Sequence, residues 1–389
     1  MTHAPCAIVG VGQTEHKTRR WDVSFAGLVR EAAVRALDDA EMTWADIDAV
    51  VVGKAPDLFE GIMKPELYLT DALGAAGKPM FRVHTAGSVG GTTGIVASHL
   101  VETGRHRRVL AVGFQKQSEG NAQFALGSGR GASIGAGGAF APFMRSYIHR
   151  TGAPLDIGPM VAVKDRQNAM KNPYAHLRIA DISIEKVKAS PMMWDPVRYL
   201  ESCPSSDGAC AVVFTDEAGG RDAAKAGRAP AWVLGSAVRS EPSQFPGRDP
   251  VRPVAALDCA TDLYGQAGIT NPRRQIDCAE LYVPFSWYEP MWLEAHHIAA
   301  ENEGWKMVES GETALDGSFP VNMSGGVLSS TPIGASGLLR FAEAAMQVRG
   351  TAGEHQVDGA NVAVAQAYGA AAQYFAMWVV ANSLDPFGA

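Results

Sequence analysis

The sequence predicts an α/β fold with mainly parallel strands, built as two related halves. Three observations carry that reading. Strand-like apolar runs alternate with helical stripes. The order helix, threonine, Ile-Asp, strand occurs twice. The order glycine-rich turn, helix, glycine stop, strand also occurs twice, and two repeats in the same order indicate an internal duplication.

The elements follow in order. Ala7-Ile8-Val9-Gly10 reads as the opening strand. From Phe25 to Leu37, apolar residues fall at Phe25, Leu28, Val29, Ala32, Ala33, Ala36 and Leu37, one face of a helix. Thr43-Trp44-Ala45-Asp46 resembles a capping box and precedes Ile47-Asp48 and the strand Ala49-Val52. Gly87-Ser88-Val89-Gly90-Gly91 is a flexible turn into a helix lined by Thr92, Ile95, Val96, His99 and Leu100. That stripe places His99 on the apolar side. Gly104 stops the helix before strand Val109-Gly113. The second half repeats the plan: a helix from about Val254 to Ala267, Ile276-Asp277, then strand Cys278-Tyr282. Ser324-Gly325-Gly326 leads to a helix over Leu338-Val348, a stop at Gly350, and strand Asn361-Ala365. Tyr374-Ala381 is another strand-length run. The halves divide as 1–230 and 231–389, with an inserted loop domain at about 115–204. Its glycine-rich stretch Gly127–Gly138 fits a covering loop better than a phosphate cradle, because no GxxxxGK[ST] is present.

Composition narrows the function. Of 389 residues, 47% are hydrophobic and 19% charged, enough for a large core. The formal charge of −7 disfavours nucleic-acid binding. The cluster Arg105, His106, Arg107, Arg108 reads as a solvated helix end. No apolar run approaches the roughly 18 residues needed for a membrane span. The N-terminal stretch has no basic region followed by an apolar core, so a cytoplasmic protein is expected. Five widely spaced cysteines, Cys6, Cys203, Cys210, Cys259 and Cys278, without a CxxC pair, argue against a disulfide framework or a zinc ribbon. His296 and His297 lack partners at ligand spacing, and no metal is expected.

Several segments together resemble the thiolase superfamily, of the sterol-carrier-protein-x and lipid-transfer type. They are Ile8 to Glu15, Lys171-Asn172-Pro173, Ser190, Asp195-Pro196, Cys203 to Ala209, Asn322 to Gly326, and Pro332 to Gly337. The resemblance implies a five-layer αβαβα fold, a homodimer, and a site for an acyl-CoA thioester, with coenzyme A as part of the substrate and no covalently bound cofactor. It also suggests a small zinc-ribbon/OB-fold partner protein. Gly10-Val11-Gly12 is no dinucleotide fingerprint, since Glu15 stands at the third glycine position.

The family's chemistry needs a thiolate at a helix N-terminus, where the dipole and free N–H groups favour it. The matching turn here, His84 to Gly90, holds no cysteine. The resemblance puts Gly87 at the nucleophile position. Ser88 is adjacent, and as a serine it would need a base; its plainer role is a helix cap. Thr331 stands before Pro332 where the family carries a histidine. Tyr282 stands in another histidine position, within Glu280-Leu281-Tyr282-Val283-Pro284-Phe285. Tyr368 is the titratable residue near the family's terminal acid/base.

Two readings follow. In one, the protein cleaves a β-hydroxyacyl-CoA by retro-aldol chemistry, as thiolase-like aldolases of steroid side-chain degradation do. Tyr282, Tyr368, His84 and Ser88 are then the catalytic candidates, and Gly87, Gly90, Ser324, Gly325, Gly326 and Thr331 line the substrate. In the other, the chain is a non-catalytic acyl-CoA- or lipid-binding subunit of a thiolase-type complex. Ordinary acyl transfer ranks third. For Tyr282 and Tyr288 the plainer role is aromatic core, since both lie in the run Tyr282 to Trp292. His84 follows a strand, and core packing is its plainer role.

Overall fold

The computed structural model describes residues 4–55, 61–120, 135–242 and 247–388. Its strands are β1 (Cys6–Gln13), β2 (Ala49–Lys54), β3 (Met80–Val83), β4 (Arg108–Lys116), β5 (Met192–Trp194), β6 (Val197–Arg198), β7 (Asp207–Asp216), β8 (Ala231–Ser240), β9 (Cys278–Glu280), β10 (Val362–Gly369) and β11 (Tyr374–Ala381). Nine form one sheet in the order β3-β2-β4-β7-β1-β8-β11-β10-β9, and β5 pairs with β6 separately.

The duplication is visible in this order. Running inward, β3, β2 and β4 are parallel, then β7 and β1 alternate in direction. From the other end, β9 and β10 are parallel, then β11 and β8 alternate. A parallel bridge from Ala279 to Val321 occupies the place that β3 has in the first half. The halves meet where β1 pairs with β8 through Cys6, Ala7 and Ile8. Three pairs in this sheet are parallel and five antiparallel, so it is mixed rather than mainly parallel as expected, and the short β10–β11 connection is one that requires an antiparallel pair.

Helices supply the other layers. Phe25–Ala40 is capped by Ser24, whose side chain accepts from the Gly27 amide, and it lies on β1 and β7. Thr43 and Asp46 form the expected capping box. Val254–Ala267 lies on β8 and β11. Between them, helices Val89–Glu102 and Ile333–Arg349 pack on each other, buried almost all round. Glycines let them approach: a Cβ on Gly94 would meet the Phe341 ring at 2.7 Å, and one on Gly337 would meet the Gly91 nitrogen at 2.5 Å. With the two halves of the sheet, β3 to β1 and β8 to β9, as the β layers, the order is the expected αβαβα.

The insertion is more regular than a loop. It carries helices Gly135–Thr151, Ile157–Ala169 and Ile184–Ala189 and the β5–β6 pair. The covering stretch 127–134 lies outside the described residues, and Gly135–Gly138 begin a helix.

Candidate active site

Four segments meet around the start of the Val89–Glu102 helix. The first is the turn from His84 to Ser88, in which Ala86 takes the left-handed conformation at φ 52. That region is costly for a residue with a Cβ and marks a constrained turn. The second is the end of β10. Gly369 touches the turn directly: a Cβ there would lie 2.6 Å from the Gly87 and Ser88 nitrogens. A Cβ on Gly87 would in turn meet the Tyr368 carbonyl at 3.1 Å. The third is the stretch after β9, through Tyr282 into helix Tyr288–Ala295. The fourth runs from Glu201 to Ser206. It pairs with the third through Ser202 and Phe285, and the Cys203 amide donates to the Pro284 carbonyl at 2.9 Å.

Ser88 does not cap the helix with its side chain. Its hydroxyl donates to the Thr85 carbonyl at 2.7 Å and lies 3.0 Å from the Thr85 hydroxyl, and neither is a base. His84 is exposed at the turn rather than packed in the core. His99 is also exposed, and it meets the Ser236 hydroxyl at 3.1 Å.

The two candidate tyrosines are brought together. The Tyr282 and Tyr368 rings meet edge to face, with centroids 5.3 Å apart. Tyr288 lies 5.2 Å from Tyr368 and stacks on Trp292 at 4.9 Å. Trp292 also packs on Tyr368 at 5.1 Å, and its indole N–H donates to the Tyr282 carbonyl at 2.9 Å. Burial pushes the phenols of Tyr282, Tyr288 and Tyr368 above the usual tyrosine range. At neutral pH they are therefore protonated, which suits a hydrogen-bond donor and not a base.

The cysteines show no sign of activation. Cys6, Cys210, Cys259 and Cys278 are buried, and burial raises all four thiols. Cys203 is partly exposed, and its thiol is also raised by burial. It lies beside Thr331 and close enough to Tyr282 and Tyr368 to influence both. Sequence spacing could not find this, because the Cys203–Pro284 pairing that causes it spans two distant segments.

The predicted substrate-lining residues divide. Gly87 faces Tyr368, as above. Thr331 is near Cys203, but its hydroxyl donates to the Val327 carbonyl at 2.6 Å and its amide to the Ser206 hydroxyl at 3.1 Å. Gly90 is packed against Leu338, with room for no Cβ, since the Leu338 nitrogen would be 2.6 Å away. Ser324, Gly325 and Gly326 are buried below the site. The Ser324 hydroxyl donates to Glu280 at 3.0 Å and accepts from Arg340 at 2.8 Å. Arg340 also pairs directly with Glu280. Deeper still, Glu343 holds His355 at 2.9 Å. On the other side, Lys164 binds Glu289 at 2.6 Å and Asp165 at 3.2 Å. Among the described residues no group of three or more His, Cys, Asp or Glu side chains is placed to hold a metal ion. No described helix is long and apolar enough to cross a membrane.

Comparison with known proteins agrees with this architecture. The family model for the thiolase C-terminal domain-like fold matches residues 238–382. The chain is 32% identical over 369 residues to an acetyl-CoA acetyltransferase of Methanothermobacter thermautotrophicus, covering 92% of this chain and 94% of that protein. It therefore belongs to the thiolase superfamily. Human sterol carrier protein 2 is 28% identical over 379 residues, covering 92% of this chain and 68% of that protein. A solved structure described as Ltp2-ChsH2(DUF35) aldolase is 25% identical, with a TM-score of 0.84 and 97% of each chain covered. Within the superfamily, the protein is of the sterol-carrier-protein-x and lipid-transfer type.

Proposed function

We propose that this thiolase-fold protein cleaves a carbon–carbon bond in the β-hydroxyacyl-CoA thioester of a lipid- or steroid-derived acid, without a cysteine nucleophile. The observation that carries the reading is the pair of buried, protonated phenols, Tyr282 and Tyr368, beside a helix-start turn that has glycine at position 87. Similarity to the Ltp2 aldolase and to sterol carrier protein 2 supports the reaction and the substrate class.

In the retro-aldol step a base takes the proton of the β-hydroxyl. The carbonyl of the released aldehyde or ketone forms as the bond between the α and β carbons breaks. The bonding pair moves onto the thioester as an enolate, which a proton then quenches at carbon. Neutral phenols stabilise the enolate oxygen by donation, typically worth 10²–10³-fold in rate for one donor. His84, exposed on the turn, is our candidate base, and Ser88 orients the turn through Thr85.

The functional assembly is proposed to be a homodimer, with the 1–230 and 231–389 halves as its structural units. Edge strand β3 and the exposed Met63, Leu67, Tyr68 and Phe81 support a paired surface. A small zinc-ribbon/OB-fold partner is proposed as well, and the pairing of Ltp2 with ChsH2 supports it. Cysteine-dependent acyl transfer is the second reading. Cys203 beside both tyrosines favours it, and its raised thiol counts against it.

The test is incubation with a β-hydroxyacyl-CoA, with and without a candidate partner. Release of an aldehyde or ketone that falls about 100-fold in Tyr282→Phe or Tyr368→Phe is expected. A covalent acyl-enzyme detected by mass spectrometry would overturn the cysteine-free mechanism.

A further inference from the structure

Tyr288 has a feature that its aromatic surroundings do not explain. The residue is fully buried, and its phenolic oxygen makes no hydrogen bond of good geometry, only a weak contact with the Tyr368 hydroxyl. Leaving a buried hydroxyl poorly paired is costly, and such exceptions in a native fold call for a cause. The ring is not free to turn toward a partner. Trp292 stacks on it at an interplanar angle of 15°, and Phe140 meets it edge-on at 6.2 Å. The neighbouring polar group is the Tyr368 phenol, close enough that each hydroxyl perturbs the ionisation of the other. Tyr368 is joined through Gly369 to the turn at Gly87 and Ser88.

We propose that the Tyr288 and Tyr368 hydroxyls together form a subsite for one substrate oxygen, the thioester oxygen as it gains enolate charge. The inference rests on the reaction proposed above and adds a third tyrosine to it. A phenol held in the free protein by no hydrogen bond of good geometry can donate to the substrate with little bonding to give up, which is the preorganisation that favours charge developing in a transition state. Tyr288 is then a catalytic residue, and the aromatic packing around it serves to aim its hydroxyl.

Tyr288→Phe tests this, because it removes one oxygen and keeps the ring. The expected result is a kcat about 100-fold lower with KM within about twofold. Thermal stability should be unchanged or higher, since a poorly paired hydroxyl is lost. Full activity in the variant, or a loss of stability with kcat retained, overturns the subsite. A second arm needs no turnover. A CoA thioether bearing a nitronate, an enolate mimic, is titrated against acetyl-CoA in wild type and variant. Wild type should prefer the nitronate, and Tyr288→Phe should lose at least tenfold of that preference. No preference in wild type, or one that the variant retains, overturns the subsite. If the preference depends on Tyr288 and no β-hydroxyacyl-CoA is cleaved, the subsite stands and the retro-aldol reading falls. If cleavage is equal in both proteins, the reading stands and the subsite falls.

Discussion

Adding one methyl group at Gly369 should damage the site far more than adding one at Gly87. The Gly369 Cβ would lie 2.6 Å from the Gly87 and Ser88 nitrogens and 2.9 Å from the Gly87 Cα. All three are backbone atoms, so no side chain can rotate away. The turn itself is held: Ala86 is left-handed, the Ser88 hydroxyl is bonded to Thr85, and Gly90 abuts Leu338. The strand end and the turn must separate by roughly 0.8 Å to restore ordinary contact, at an overpacking cost of about 2–3 kcal/mol. At Gly87 the nearest atoms are the Tyr368 oxygen at 3.1 Å and the Gly369 Cα at 3.3 Å. A shift of a few tenths of an ångström suffices, and reduced unfolded-state entropy offsets about 0.4–1 kcal/mol of it. With about 2.1 cal/mol/K per residue over 389 residues, 2–3 kcal/mol corresponds to roughly 2–4 °C in Tm. Circular dichroism melts and urea titrations of both alanine variants provide the measurement. Gly369→Ala should melt lower and lose catalysis, and Gly87→Ala should stay within about 1 kcal/mol of wild type. Equal effects, or a worse Gly87→Ala, would refute the contact between strand end and turn.

Two further outcomes concern the buried charges. Arg340→Met strands Glu280 without its partner and should cost about 3–5 kcal/mol, while adding Glu280→Gln should recover most of the loss; a double variant no more stable than the single one would contradict this. For His355, burial lowers the imidazole pKa but Glu343 outweighs it, so the net folded value is raised. The pair therefore contributes fully below the unfolded value of about 6.5 and is lost as pH rises through the higher folded value. The stability gap between wild type and His355→Gln should be largest near pH 6 and shrink toward pH 9 in urea titrations, whereas a constant gap would mean that His355 is neutral in the fold.

Local signals carried much of the architecture, and their failures have physical causes. Half-exposed helices such as Phe25–Ala40 and Val254–Ala267 show a stripe, so their positions could be read directly. Gly104 and Gly350 do stop their helices, at φ 71 and 70. The two central helices begin earlier than the periodicity indicates, at Val89 and Ile333, because a helix buried on every side has no polar face to mark its start. Gly135–Thr151 is obscured by its glycines and by Pro142. At the site, Tyr282 and Tyr368 could be proposed from their places in family motifs. Tyr288 could not, because an aromatic run reads as core whether or not one hydroxyl in it is poorly paired. The neighbourhood of Cys203 depends on long-range pairing, which no local pattern encodes.

The stretch holding two of the three phenols is anchored at both ends by buried carboxylates. Glu280 precedes Leu281 and Tyr282, and is tied to Ser324 and Arg340. Glu289 follows Tyr288 and is tied to Lys164, which also donates to the Val321 carbonyl at 2.9 Å. Burial raises the pKa of both carboxyls, so these ions are costly to keep. Apolar side chains of similar volume often stabilise a core as well as a buried ion pair does. They would not fix position in the same way, because packing tolerates sliding that a directional bond to a charge does not. The charge therefore sits on the flanks, where it sets the position of the Tyr282–Tyr288 stretch. The phenols between remain uncharged, the state in which they can donate to an anionic oxygen.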